Sequence, residues 1–381
     1  MSEEAPPEPD RVEGAPHPRE TLELIGHAEA EAALLEAYTS GRLHHGWLIT
    51  GPRGVGKATL AWRMARFLLA QPESTGGADG LFTDAPPAPE SLAVPADHPV
   101  TRRLAALSES RLFLLRRVID EERKPPRLKT VITVDEARRL KGYFSMTAAD
   151  GGRRVVIVDA ADELNPNAAN ALLKLLEEPP EGATLLLVCH QPSRLLPTIR
   201  SRCRELRLGT LDGQAMAAAM TAAGVEAGPH APALAELSSG SVGEAIRLAN
   251  LGGLELYAEL LELFATLPRL DRNKALALAE SAGRRGAETR LDLALRLIDL
   301  FLARLARSGI SGPPAQEAGP GEAALMARLS PDTRAARAWA QAQEELGARA
   351  RHARAVNLDP AGLVLDMVLR IEATAAPLAA A

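Results

Sequence analysis

The stretch Gly51-Pro-Arg-Gly54-Val-Gly56-Lys57-Ala58-Thr59 constrains this chain more than any other. A short apolar run, Trp47-Leu48-Ile49-Thr50, precedes it. Behind it Leu60, Met64, Phe67 and Leu68 recur at helical spacing, with Arg63 and Arg66 on another face. Strand, glycine loop and helix in that order admit few architectures. Glycines let backbone N–H groups wrap an anion, the helix start adds positive potential, and a lysine neutralises the outer oxygens of a phosphate chain. An ordinary glycine turn would need neither the lysine nor the helix. Gly51, Gly54, Gly56, Lys57 and Thr59 are therefore candidate nucleotide-binding residues.

Apolar runs return at 112–115, 155–158, 184–188 and 205–208, separated by helical stretches at 134–147 and 166–178. Asn165 can cap the second stretch, and Pro166 suits its first position. Alternating strands and helices predict an α/β fold, a parallel sheet covered on both faces. After Leu208 only helical patterns remain, with glycine breaks at 240–243 and 252–253. The expected organisation is a disordered tail over 1–19, an α/β nucleotide-binding-like domain over 20–209, a small helical module over 210–252 and a larger helical domain over 253–381. Within the second of these, the Pro/Gly/Ala-rich segment 71–99 is expected to be a flexible insertion. Leu291, Leu295, Ile298, Leu302 and Leu305 form a helical stripe that suits either a core or a docking face.

Composition narrows the functions this fold could serve. Among 381 residues, 44 Lys+Arg face 49 Asp+Glu, a net charge of −5, which argues against an autonomous DNA grip resting on basic surplus. Aromatic residues at 3% leave little for a stacked-ring single-strand platform. Two cysteines, Cys189 and Cys203, build neither a disulfide framework nor a four-cysteine zinc site. The N-terminus is acidic and proline-rich, unlike a secretory signal, and no run of about 18 apolar residues occurs. A soluble, cytoplasmic chain with no membrane partner is expected.

The glycine loop is incomplete for hydrolysis. The residue after the lysine should bring a hydroxyl to magnesium, and here it is Ala58. Thr59 lies about 100° further round the helix and points elsewhere. Val155-Val156-Ile157-Val158-Asp159 is a buried strand ending in a carboxylate suited to magnesium, although Asp159 could equally cap the segment after it. The next position, where a hydrolysing site carries a glutamate, is Ala160, and Asp162 and Glu163 are out of register with it.

Asn167-Ala-Ala-Asn-Ala-Leu-Leu-Lys-Leu-Leu-Glu-Glu-Pro-Pro180, followed by Leu195-Leu-Pro-Thr-Ile-Arg-Ser-Arg-Cys203, completes a pattern. With it the chain resembles the bacterial clamp-loader subunits of the AAA+ superfamily. Over about residues 20–250 it is more similar to the delta-prime branch of DNA polymerase III than to the gamma/tau motors, and Asn357-Leu-Asp-Pro360 is a weaker match beyond. The resemblance implies a P-loop sheet flanked by helices, a helical lid over 210–252 and an all-helical C-terminal collar that joins other subunits. It also marks losses. The motors carry Thr or Ser where Ala58 stands and Glu where Ala160 stands; their first sensor falls at Cys189-His190 and their second at Gly243. Together these imply ATP held, if at all, without hydrolysis.

One group of the family survives. Ser201-Arg202-Cys203 matches the element whose arginine reaches a neighbour's ATP, so the resemblance makes Arg202 a catalytic residue supplied in trans. A guanidinium so placed accelerates phosphoryl transfer by about 10³–10⁵ in well-studied GTPases. Outside this string Arg202 would read as a surface arginine; Arg200 is the weaker candidate, and Cys203 a small buried filler. Relatives often carry a zinc module in the place of 71–99; His98 is the sole ligand type there, so no zinc is expected. The implied partners are gamma/tau and delta subunits, with the sliding clamp and primed DNA reached through the assembly. Two other classes stay open: an active gamma/tau-type ATPase, and a P-loop kinase or switch acting alone. The helical C-terminal third and the arginine string both speak against the latter.

Overall fold

The structure, a computed structural model, describes residues 8–12, 14–71, 88–122, 127–145, 152–226, 228–284, 287–356 and 358–379. The chain divides into two compact units, Met1–Glu226 with Gly240–Glu244, and Ala227–Ser239 with Ala245–Ala381. The first contains α1 (Ala28–Thr39), β1 (Gly46–Thr50), α2 (Lys57–Ala70), α3 (Pro99–Ala105), β2 (Leu112–Arg116), β3 (Ile119–Asp120) and β4 (Arg127–Leu128). It continues with α4 (Val134–Ser145), β5 (Arg154–Asp159), α5 (Pro166–Glu177), β6 (Ala183–Cys189), α6 (Pro197–Arg200), β7 (Arg204–Arg207) and α7 (Gly213–Ala222).

Five strands form one parallel sheet in the order β2-β5-β6-β1-β7. Successive side chains leave a strand on opposite faces, and this sheet buries both. Trp47, Ile49, Val155, Ile157, Leu186 and Val188 pack with Leu60, Met64, Phe67 and Leu68 of α2 on one side. Leu48, Val156, Val158, Leu185 and Leu187 pack with Leu140 of α4 and Leu172 and Leu176 of α5 on the other. Double coverage is why these strands read as unbroken apolar runs rather than alternating ones. As the sequence implied, Asn165 caps α5 by accepting the Ala168 N–H at 2.8 Å, with Pro166 at the first position.

The second unit is helical: α8 (Ala231–Ser238), α9 (Val242–Asn250, whose first residues belong to the first unit), α10 (Gly253–Phe264), α11 (Arg272–Gly283), α12 (Glu288–Ser311), α13 (Glu322–Leu329), α14 (Thr333–Ala355) and α15 (Pro360–Ala379). Here α12 packs along α14 and α11 along α15. The whole stripe Leu291, Leu295, Ile298, Leu302 and Leu305 is buried. Beside it Arg304 is held by Glu322 at 2.7 Å and Glu236 at 3.0 Å, and Tyr257 donates to the same Glu322. No helix among the described residues is long and apolar enough to cross a membrane.

Three expectations need correction. The tail over 1–19 is tied down from Glu8 onward within the described residues. Glu8 pairs with Arg19 and Arg116, Asp10 with His17 and Arg116, and the fully buried His17 stands edge-on to Trp62. Composition counted these charges as solvent-facing, yet they neutralise one another against α2. Of the segment 71–99, residues 72–87 lie outside the described residues, but Leu92 joins the core and His98 caps α3 by accepting the Val100 N–H. Helix formers prevail from Leu22 to Tyr38 and predict a helix over that stretch, but the helix begins only at Ala28, and the antiparallel pair β3–β4 went unread because each strand has two residues.

Arg66, almost fully buried on α2, donates to the Arg19 carbonyl at 2.8 Å, so it depends on the N-terminal segment. Removing residues through Arg19 should cost about 1–3 kcal/mol, the penalty for one buried polar group left unpaired. Chemical denaturation of the truncated and full chains checks this; equal stability would mean the segment does not support the core.

Candidate functional site

The glycine loop stands at the carboxyl end of β1, and Asp159 and Cys189-His190 end the neighbouring strands β5 and β6 on the same edge of the sheet. This is where open α/β sheets place ligands. Gly51, Gly54 and Gly56 have φ of 140°, 78° and 106°, a left-handed run that L side chains rarely adopt. Space forbids side chains as well: a Cβ at Gly51 would lie 2.2 Å from the Leu208 carbonyl oxygen.

Lys57, 2% exposed, does not reach out of the loop. Its ammonium donates to the Gly51 and Pro52 carbonyls. Burial pulls it down to about 8, opposed by the nearby Asp159, Asp162 and Cys189. Asp159 is pushed up to about 7 by burial, with Asp10 and Glu163 adding repulsion against the relief from Lys57 and Arg53. A carboxyl so poised is only partly ionised at neutral pH, and its Oδ2 is buried without a hydrogen-bond partner.

The other acids near the loop are engaged. Asp162 accepts the His190 N–H at 2.8 Å, and Glu163 pairs with Arg117 at 2.7 Å and Arg53 at 3.6 Å. His190 is pulled down to about 4, chiefly by burial and then by Lys57 and Arg53, so its ring is neutral at physiological pH. Ala160 carries no base, and Gly243 carries no cation. Instead the Gly243 N–H donates to the Gly54 carbonyl at 2.9 Å, and Ser241 Oγ donates to the Arg53 carbonyl at 2.8 Å. A Cβ at Gly243 would lie 3.0 Å from Gly54 Cα and 3.3 Å from Val12 Cγ2, so a side chain there would crowd the loop. The crest of the loop is thus strapped by the residues that would hold a second sensor. The set fits an anion cradle in outline, through its glycines and Lys57. Its fit to magnesium is incomplete, because Ala58 has no hydroxyl to offer.

Arg202 lies at the opposite edge. It precedes β7, which runs parallel to β1, so it sits at the amino ends of the strands while the loop sits at the carboxyl ends. Crossing β1 takes roughly 15 Å. Arg202 is therefore out of reach of its own chain's loop. Its guanidinium pairs with Glu177 at 2.9 Å and donates to the Thr198 carbonyl at 3.1 Å, while remaining partly exposed. Arg200 is exposed nearby, and Cys203 is half-buried against Gly46.

Gly51, Gly54, Gly56 and Lys57 come together with Asp159 as read from the sequence. Asp10, Val12 and Ser241 were missed as neighbours of the loop, and Gly243, read as the place of a second sensor, was not foreseen to bond to Gly54, because backbone hydrogen bonds and tail contacts leave no pattern in residue types. Glu177 left a faint signal: an acid in the last turn of a helix opposes the helix dipole.

Sheet order, glycine loop and the acid-ended strand β5 define a P-loop-like α/β domain followed by a helical region. Residues 98–212 match the family described as DNA polymerase III, delta subunit. Over 221 residues the chain is 39% identical to DNA polymerase III subunit delta' of Pseudomonas aeruginosa, covering 57% of this chain and 60% of that one. Over 175 residues it is 34% identical to subunit delta' of Escherichia coli, covering 45% and 44%. To subunit tau of Escherichia coli it is 27% identical over 271 residues, covering 69% and 38%. The chain thus spans three fifths or less of the length of these relatives. In sequence it is similar to the DNA polymerase III delta-prime subunits.

Because Asp159 binds its proton far more tightly folded than at its ordinary value of 3.8, the native state holds the extra proton between about 4 and 7. Stability therefore falls as pH rises through that window, and the cost is complete above it. Asp159→Asn removes the cost. Its melting temperature should match the parent near pH 4 and exceed it by a few degrees at pH 8; a difference independent of pH would refute this account.

Proposed function

We propose that this chain is the delta-prime-type subunit of a DNA polymerase III clamp loader, working in the cytoplasm and hydrolysing no ATP of its own. It lends Arg202 to the ATP site of a neighbouring gamma/tau-type subunit, in an assembly that also contains a delta subunit and places a sliding clamp on primed DNA. The observation that carries this reading is the distance across the sheet. Arg202, in the Thr198–Cys203 turn, stands at the edge its own loop cannot reach, and the loop itself lacks the magnesium hydroxyl, the base and both sensors. An arginine so placed has work to do only against a second subunit.

Several features support the finer parts. Lys57 and the left-handed glycines suit ATP held without hydrolysis, although Lys57 is turned onto its own loop. No zinc belongs to this reading, since His98 serves as a helix cap and Cys189 and Cys203 are too few for a four-cysteine module. DNA is met by the assembly, which agrees with a net charge of −5. The domain division 20–209, 210–252 and 253–381 is retained as the functional one: catalytic-type domain, lid and collar.

Reconstitution with the gamma/tau and delta partners tests this. Arg202→Ala should lower clamp- and DNA-stimulated ATPase about tenfold or more, in keeping with the loss of an arginine finger. Lys57→Ala should leave it within about twofold, because in this reading the loop that Lys57 serves hydrolyses nothing and the transition state forms in the neighbour's site. Equal damage from the two variants, or steady hydrolysis by the isolated chain that Lys57→Ala abolishes, would establish the alternative, an active gamma/tau-type ATPase.

A further inference from the structure

The end of α5 and the arginine turn are built against each other through the start of β1. His45 donates from Nε2 to the Leu176 carbonyl at 3.0 Å. Burial, then the stacked His44, holds His45 below the ordinary imidazole range, so the ring is neutral and Nε2 carries its proton. At Gly46 a Cβ would lie 2.9 Å from Leu176 Cδ2, 3.3 Å from the Arg202 carbonyl oxygen and 3.3 Å from Cys203 Sγ. Glycine here lets the last turn of α5 and the Ser201–Cys203 turn close on one strand. Glu177, the next residue after Leu176, is thereby delivered to Arg202, and its carboxylate meets Nη2 at 2.9 Å.

The pair has a cost that calls for a compensating role. Glu177 is the final residue of α5, followed by Glu178, so two acids stand where the helix dipole is negative and basic residues are favoured. Both sides of the Glu177–Arg202 pair are partly exposed, so the pair itself adds little to stability. What it does is orient. Nη1 donates to the Thr198 carbonyl and to Ser201 Oγ, and an ion pair draws Nη2 to the Glu177 carboxylate, so the guanidinium is held from two sides. Nε makes no hydrogen bond among the described residues, and the Nε–Nη2 edge of the fork can receive two phosphate oxygens side by side.

We propose that Glu177 is a positioning residue for the arginine finger: it holds the Arg202 guanidinium in the orientation in which the Nε–Nη2 edge meets the terminal phosphate of a neighbour's nucleoside triphosphate. The inference rests on the trans-acting role of Arg202 given above. Ordering a long side chain before the encounter removes that entropic loss from the catalytic step.

The test is a double-mutant cycle in the reconstituted assembly, with clamp- and DNA-stimulated ATPase measured at varied ATP. Glu177→Ala should lower kcat about two- to fivefold, the scale of an exposed ion pair, with KM for ATP and subunit assembly unchanged. Glu177→Gln, which keeps an acceptor, should lose less, and Glu178→Ala should lose nothing. Raising ionic strength should narrow the gap between Glu177→Ala and the parent. In an Arg202→Ala background, Glu177→Ala should have no further effect. An equal loss in both backgrounds would show that Glu177 supports the fold rather than the finger. Unchanged or increased activity of Glu177→Ala would also overturn the proposal, the increase marking a latch that restrains Arg202. If Arg202→Ala itself is silent, it is the arginine-finger reading that falls.

Discussion

Everything in the α/β unit depends on β1 being sealed between β6 and β7 with both of its faces buried. Its five residues leave no room for drift in register, because Trp47 and Ile49 are committed to one core and Leu48 to the other. A slip by one residue would exchange the two cores. That rigidity positions two chemically unrelated features at once. The carboxyl end of β1 launches the glycine loop, and its amino end, through Gly46, sets the spacing of the arginine turn from α5. A single strand thus serves as a spacer with a phosphate cradle at one end and a cation at the other.

The two ends have had different fates. At the carboxyl end the backbone geometry of an anion site persists, glycine by glycine, while the side chains that would use it are gone or diverted. Lys57 bonds to its own loop, Asp162 and Glu163 serve as anchors for His190 and Arg117, and Gly243 ties down Gly54. Left-handed glycines and a helix start are parts of the fold, and removing them would disturb Leu208 and the core behind it. Catalytic side chains are attached to the fold without supporting it, so they can be replaced singly. At the amino end the Arg202 guanidinium is held by Glu177 and the Thr198 carbonyl and stays partly exposed.

Much of this was legible in the residues themselves. Buried strands on a doubly covered sheet announce themselves as apolar runs, and Asn165-Pro166 marked the start of α5 to the residue. The missing hydroxyl at Ala58 and missing base at Ala160 needed only register. The N-terminal segment was misread because proline and acid content says nothing about whether Asp10 will find Arg116, more than a hundred positions away. Arg202 was identified through its surrounding string, but its partner was not. An ion pair between the end of one helix and the turn before a distant strand follows no spacing rule, and the acid closing α5 and Gly46 at the junction were its only faint signals. The strap on Gly54 is made by backbone atoms and a serine hydroxyl, which any sequence could supply.

The paired charges of the N-terminal segment also bear on how this molecule meets others. Glu8 and Asp10 are spent on Arg19, Arg116 and His17, so these acids contribute little to the field felt outside. The strand at the sheet edge and the turn before it carry Arg200, Arg202, Arg204 and Arg207, all at least partly open to water. A chain whose charges sum to −5 therefore presents a locally positive rim. Approach of an anionic surface to that rim is governed by the local potential rather than by the sum, and is quickened at low ionic strength and slowed by salt.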